Sequence, residues 1–180
     1  VDGSLTMVAD SIEDEEAFEV SQPENVYYNG GDQTWEPTVT SGDKQLGEGD
    51  YEVAYSTEDR TNVTGAITVT ITGTGNYTGT VTRTYQILPA PLTVTAGSHE
   101  FTYNGQAQTW DQWSITSGKL YGGDAIDATV TGSITNVSES PVTNKLEKVE
   151  FTSGLESNYD VSTVDGSLTM VADSIEDEEA

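Results

Sequence analysis

Ala66-Ile67-Thr68-Val69-Thr70-Ile71-Thr72 decides the fold class. In an extended chain successive side chains point to opposite faces, so Ile67, Val69 and Ile71 share one side and the threonines the other. A helix would scatter these residues around its circumference, and β-branched side chains lose χ1 freedom there. The stretch therefore reads as a half-buried strand with one wet face, the pattern of antiparallel sheets.

The same alternation recurs on both sides of it. Tyr51, Val53 and Tyr55 alternate with Glu52 and Ala54, and Val81, Tyr85 and Ile87 with Thr80, Thr82, Thr84 and Gln86. Further along come Leu92, Val94 and Ala96, then Val149 and Phe151, then Leu168 and Met170, each set interleaved with polar residues. Turn-forming clusters separate these runs: Asn29-Gly30-Gly31-Asp32, Gly47-Glu48-Gly49-Asp50, Gly73-Thr74-Gly75-Asn76 and Gly122-Gly123-Asp124. Short strands at such spacing predict an all-β sandwich or barrel.

Two levels of repetition organise the chain. Val1 to Ala17 reads VDGSLTMVADSIEDEEA and returns letter for letter as Val164 to Ala180. Self-similarity of this kind marks an array of units. A weaker repeat is nested inside. Tyr28-Asn29-Gly30, Gln33-Thr34-Trp35 and Thr40-Ser41-Gly42 match Tyr103-Asn104-Gly105, Gln108-Thr109-Trp110 and Thr116-Ser117-Gly118. Leu46, Gly49-Asp50 and Asn76-Tyr77 match Leu120, Gly123-Asp124 and Asn158-Tyr159. The expectation is two tandem, related small antiparallel β domains, 18–90 and 91–171, joined by the stiff Leu88-Pro89-Ala90-Pro91-Leu92. Domains this small bury little surface, so Tyr28, Trp35, Tyr103 and Trp110 are expected as matched core aromatics. Residues 1–8 then read as the closing strand of a preceding repeat, separated from its partners. Such a strand is expected either to run extended with little burial or to pack on a neighbouring chain. Residues 9–17 and 172–180 read as acidic linkers, because the segment is short, nearly all acidic and without an apolar stripe.

Composition narrows the function. The net charge is −25, with only six Lys and Arg, and the sequence pI is about 4.1. Phosphate contacts need basic residues, so nucleic acid is excluded as an expected partner and an anionic membrane surface is disfavoured. The charge suits solubility and self-repulsion along an extended array. There is no Cys, hence no disulfide framework and no thiolate metal site. No apolar run approaches the ~20 residues of a membrane helix.

The segment Leu46 to Ser56, LGEGDYEVAYS, followed by Val63 to Thr80, VTGAITVTITGTGNYTGT, resembles β-rich repeats of very large cell-surface proteins of Gram-positive bacteria. Tyr103-Asn104-Gly105, Gly122-Gly123-Asp124, Ser157-Asn158-Tyr159 and Asp165-Gly166-Ser167-Leu168 resemble the mucus-binding type of repeat in the same proteins. The resemblance implies an extracellular, wall-attached adhesin with an Ig-like sandwich architecture, with a β-grasp-like arrangement as the alternative. It carries no catalytic residue and no glycan site onto this chain.

Catalytic signals are few. The single His, His99, stands in Gly97-Ser98-His99-Glu100 and reads as an exposed loop residue before a strand. Gly73 to Gly79, GTGNYTG, lies between strands and reads as a turn, not a phosphate loop. The chain is expected to be non-enzymatic, with no cofactor unless calcium. The candidate calcium residues are Asp10, Glu13, Asp14, Glu15 and Glu16 at one junction and Asp173, Glu176, Asp177, Glu178 and Glu179 at the other, since Ca²⁺ takes several carboxylate oxygens. Trp113 and Tyr121 lack aromatic counterparts in the first half and are the candidate ligand-facing aromatics. Lys44, Lys119, Lys145 and Lys148 are the only lysines, so few residues are available for an isopeptide crosslink.

The expected function is a stalk or spacer repeat that holds a binding tip away from the cell, with neighbouring identical repeats as its partners. Two alternatives stand beside it: weak multivalent binding of mucin-type glycan or another host ligand, and homotypic adhesion through an exposed edge.

Overall fold

The computed structural model describes residues 3–175. Among these, regular structure is nearly all strand, and the chain divides into two compact units between Leu88 and Pro89.

The first unit is built from β1 (Asp10–Ser11), β2 (Glu19–Val20), β3 (Val26–Tyr27), β4 (Val39–Ser41), β5 (Lys44–Gln45), β6 (Tyr51–Tyr55), β7 (Ala66–Gly73), β8 (Tyr77–Thr78) and β9 (Thr80–Leu88). One sheet has the order β3-β9-β7-β6, a second the order β2-β4-β5, and β1 pairs with β8. The alternating stretch 66–72 forms β7, antiparallel to both β6 and β9. Ile67, Val69 and Ile71 are fully buried, as that alternation requires. Tyr85 and Ile87 of β9 join the same core, as do Val20, Val39 and Leu46 from the other sheet and its edge. The buried Tyr85 hydroxyl donates to the Gln33 carbonyl at 2.9 Å, which satisfies its polar end.

The acidic segment 9–17 folds into this unit instead of forming a linker. Asp10 and Ser11 pair in parallel with Tyr77 and Thr78. Ile12 is only 2% exposed, and the Ala17 and Phe18 amides donate to the Asp14 carbonyl, closing a turn that returns Phe18 to the core. The two apolar anchors hold the segment while most of its carboxylates face water.

The second unit contains β10 (Ala90–Ala96), β11 (His99–Thr102), β12 (Trp113–Ser117), β13 (Ala125–Thr131), β14 (Val142–Ser153), β15 (Tyr159–Val164) and β16 (Gly166–Val171), with 3₁₀ turns at Val137–Glu139 and Glu156–Asn158. Its sheets have the orders β12-β10-β15 and β11-β16-β14-β13. Leu92, Val94 and Ala96 of β10 are buried. Ile134, Leu168 and Met170 form a buried cluster with Phe101, Trp110 and Val142 against it. In β14, Leu146 pairs with Val130 and Lys148 with Thr129, so Glu147 is the extra residue of a bulge. The bulge shifts parity: Asn144 and Leu146 are buried before it, and Val149 and Phe151 are the half-buried residues after it.

The two units share a plan. In β11-β16-β14-β13, as in β3-β9-β7-β6, the first pair is parallel and the others antiparallel. β10 is antiparallel to β12 and parallel to β15. β1 and β2 together do the same work for the first unit, parallel to β8 and antiparallel to β4. The purely antiparallel expectation is thus corrected: early and late strands of each unit run side by side in the same direction, which the long intervening chain permits.

Gly3 to Ala9 forms no strand, and Leu5, Met7 and Val8 are 102%, 95% and 85% exposed. The segment expected to be an overhang is thus little buried over residues 3–8. Among the described residues no helix is long and apolar enough to cross a membrane.

Candidate functional site

Trp113 opens β12, where it pairs with Ala96, and is half-buried. With Asp111, Gln112, Asp127, Ala128, Thr129 and Val130 it lines an open cleft of about 520 Å³. Tyr121 does not line this cleft. Its amide donates to the Tyr159 hydroxyl at 2.8 Å, and Lys119 Nζ stands 4.9 Å from its ring centre. The structure therefore does not bring the two candidate ligand aromatics into one site. The Tyr159 hydroxyl in turn donates to Asp124 Oδ2 at 2.6 Å, and its ring stacks on Phe151 at 5.2 Å. Tyr121, Asp124 and Tyr159 thereby lock the turn before β13 to the start of β15.

His99 is the first residue of β11, not a loop residue, and its ring stacks on Trp110 at 3.9 Å and 9°. Phe101, on the same face of β11, meets the imidazole edge at 4.6 Å. Sequence reasoning missed this because His99 follows Gly97-Ser98, although its spacing to Phe101 is the period of a strand. The matched-aromatic expectation also needs correction. Tyr28 is buried at 4%, whereas Tyr103 is 40% exposed, because it lies just past the end of β11 and is held there by its amide on the Val171 carbonyl.

Asn144, fully buried in β14, is a polar residue that no sequence signal marked. Its Nδ2 donates to the Gly97 and Trp110 carbonyls, both at 2.8 Å. Its Oδ1 has no hydrogen-bond partner and faces Gly132, where a Cβ would run into it. The amide ties β14 to the segments that follow β10 and precede β12.

The acidic candidates are dispersed by their roles in the fold. Asp10 lies in β1, Glu13 Oε1 accepts from the Thr80 amide at 3.1 Å, and Asp14 Oδ1 accepts from the Glu16 amide at 3.1 Å. Glu15 and Asp173 are exposed, while Glu176, Asp177, Glu178 and Glu179 lie outside the described residues. Among the described residues no group of three or more His, Cys, Asp or Glu is arranged to hold a metal ion.

Carboxylates with lowered pKa values sit in turns. The Asn136 and Thr135 amides hold the Glu139 carboxyl below its usual range, the Asn62 amide and side chain do so for Asp59, and Thr34 does so for Asp32. Burial pushes Tyr55 and Tyr85 up. Lys44 is raised by its hydrogen bond to the Tyr77 hydroxyl at 3.2 Å. Lys145 pairs with Glu147 and Lys148 with Glu150. These shifts come from hydrogen bonds within turns and between side chains and from burial in the core.

No family model matches the chain, and no curated protein matches it by sequence.

Proposed function

We propose that the chain is a non-enzymatic spacer: two Ig-like β units forming one repeat in the stalk of a large bacterial surface adhesin, outside the cell and attached to its wall. The observation that carries this reading is the duplicated segment. Gly166–Val171 is an integral core strand of the second unit, and its sequence stands again at Gly3 to Val8. A closing strand that recurs at a full period fits a chain of like units, each needing the same last piece. The charge of −25 supports extension, because like charges along such an array resist its collapse.

Small-angle scattering on chains carrying one, two and three periods tests it. The largest dimension is expected to grow in equal steps, and a mucin-glycan array is expected to stay blank for one period. A three-period chain no longer than the single one would sink the spacer reading. The Trp113 cleft supports the glycan reading as second choice, and array binding that Trp113→Ala removes would select it. Calcium added to the same chains tests the junctional ion through the melting temperature.

A further inference from the structure

We propose that the slot occupied by β16 is a binding site for Gly3 to Val8 of a second copy of this chain, so that copies join head to tail by exchanging a closing strand. The spacer reading gives this segment to a preceding unit of the same chain; here the same kind of slot is filled from another chain, and the two are tested separately.

The fit follows from identity of sequence. Val1 to Ala9 and Val164 to Ala172 are the same nine residues. Leu168 and Met170 are 0% and 2% exposed in the slot, whereas Leu5 and Met7 are almost fully exposed. The slot makes further demands that the segment also meets. Asp165 Oδ1 accepts from the Leu146 amide at 2.8 Å, and the Ser167 amide donates to Ser98 Oγ at 3.0 Å. At Gly166 a Cβ would run into the Ala96 and Gly97 carbonyls, so only glycine fits. Asp2, Gly3 and Ser4 supply the same residue types in the same order.

The slot is closed on both sides, by β11 in parallel and β14 antiparallel. A second strand therefore enters by replacement, not by edge addition. The incoming strand has the same side chains and hydrogen-bonding groups as the strand it displaces, so effective concentration sets the balance. A chain's own β16 wins in dilute solution. Exchange follows when the chains refold together at high concentration, as in domain swapping between identical protomers.

The absence of Cys makes a direct test possible. Glu100 in β11 is the register partner of Thr169, whose counterpart is Thr6. A Thr6→Cys chain and a Glu100→Cys chain are unfolded, mixed, refolded together at millimolar concentration and oxidised with oxidised glutathione. A disulfide-linked heterodimer is expected, and it should be lost when the first chain also carries Leu5→Asp and Met7→Asp. Adding Leu168→Asp and Met170→Asp to the second chain weakens its own strand and should raise the yield; the mixture without these two substitutions keeps the test valid if that chain does not fold. A heterodimer that persists with Leu5→Asp and Met7→Asp, or none in the unmodified pair, overturns the proposal.

Discussion

Leu5 and Leu168 occupy the same position in two copies of one sequence, and Leu5 is 102% exposed while Leu168 is 0% exposed. Local propensity is the same for both, so the difference lies in what each can pair with. Leu168→Ala is expected to destabilise the second unit by about 2–5 kcal/mol, the range for a large-to-small change in a core. Leu5→Ala should change stability by less than about 0.5 kcal/mol. Urea denaturation followed by tryptophan fluorescence measures both, and equal losses would contradict the placement of β16.

The neighbouring glycines make a second matched pair. Gly166 lies against the Ala96 and Gly97 carbonyls, whereas nothing stands within 4 Å of a Cβ at Gly3. Gly166→Ala should cost about 1–3 kcal/mol by overpacking, and Gly3→Ala should cost almost nothing. Thermal melts of the two variants side by side decide this.

Asn144 offers a test of how the second unit is tied together. Replacing it with Ala leaves the Gly97 and Trp110 carbonyls without their donor, at about 1–3 kcal/mol for each buried group left unsatisfied. Gly132→Ala should also destabilise, because its Cβ would displace the Asn144 carboxamide. In both variants the amide hydrogens of β16 should exchange faster than in the parent chain.

Stability should depend on pH at both extremes. Asp32, Asp59 and Glu139 have lowered folded pKa values, so their contribution is present above the unfolded values near 4 and is lost as pH falls through the folded values. Loss of net charge works in the opposite sense by relieving self-repulsion. Glu139→Gln isolates the first effect: in melts across acidic pH it should flatten the fall seen in the parent chain. Tyr55 and Tyr85 have raised folded pKa values, so their contribution is present below the unfolded value near 10 and is lost as pH rises through the folded ones. Phenolate absorbance should show two tyrosines of the first unit ionising late, together with its unfolding.

The strands with one wet face were legible from sequence because water contrast writes a period of two into them. Ile67, Val69 and Ile71 are the clearest case, and Leu168 with Met170 the next. The first strand of the first unit was not legible. Its composition is set by the acidic turn after Ser11, and its buried apolar anchors are just Ile12 and Phe18, too few to show a period. Parallel pairing was hidden for a different reason: alternation reports which face is buried, not which distant strand lies alongside. The bulge at Glu147 and the orphan Oδ1 of Asn144 also depend on partners remote in sequence. Of the two candidate ligand-facing aromatics, Trp113 lines an open cleft, while Tyr121 is occupied in fixing a turn.

The parallel pairing of early and late strands bears on how each unit carries tension. When a unit is stretched from its two chain ends, the load runs along β11 and β16, and likewise along β10 and β15. Their hydrogen bonds are then strained together in shear, whereas a hairpin pulled open at its mouth parts one bond at a time. β3 with β9 and β1 with β8 give the first unit the same geometry. Each unit is therefore expected to resist end-to-end pulling in single-molecule stretching far better than pulling applied across the open end of the β13–β14 ribbon.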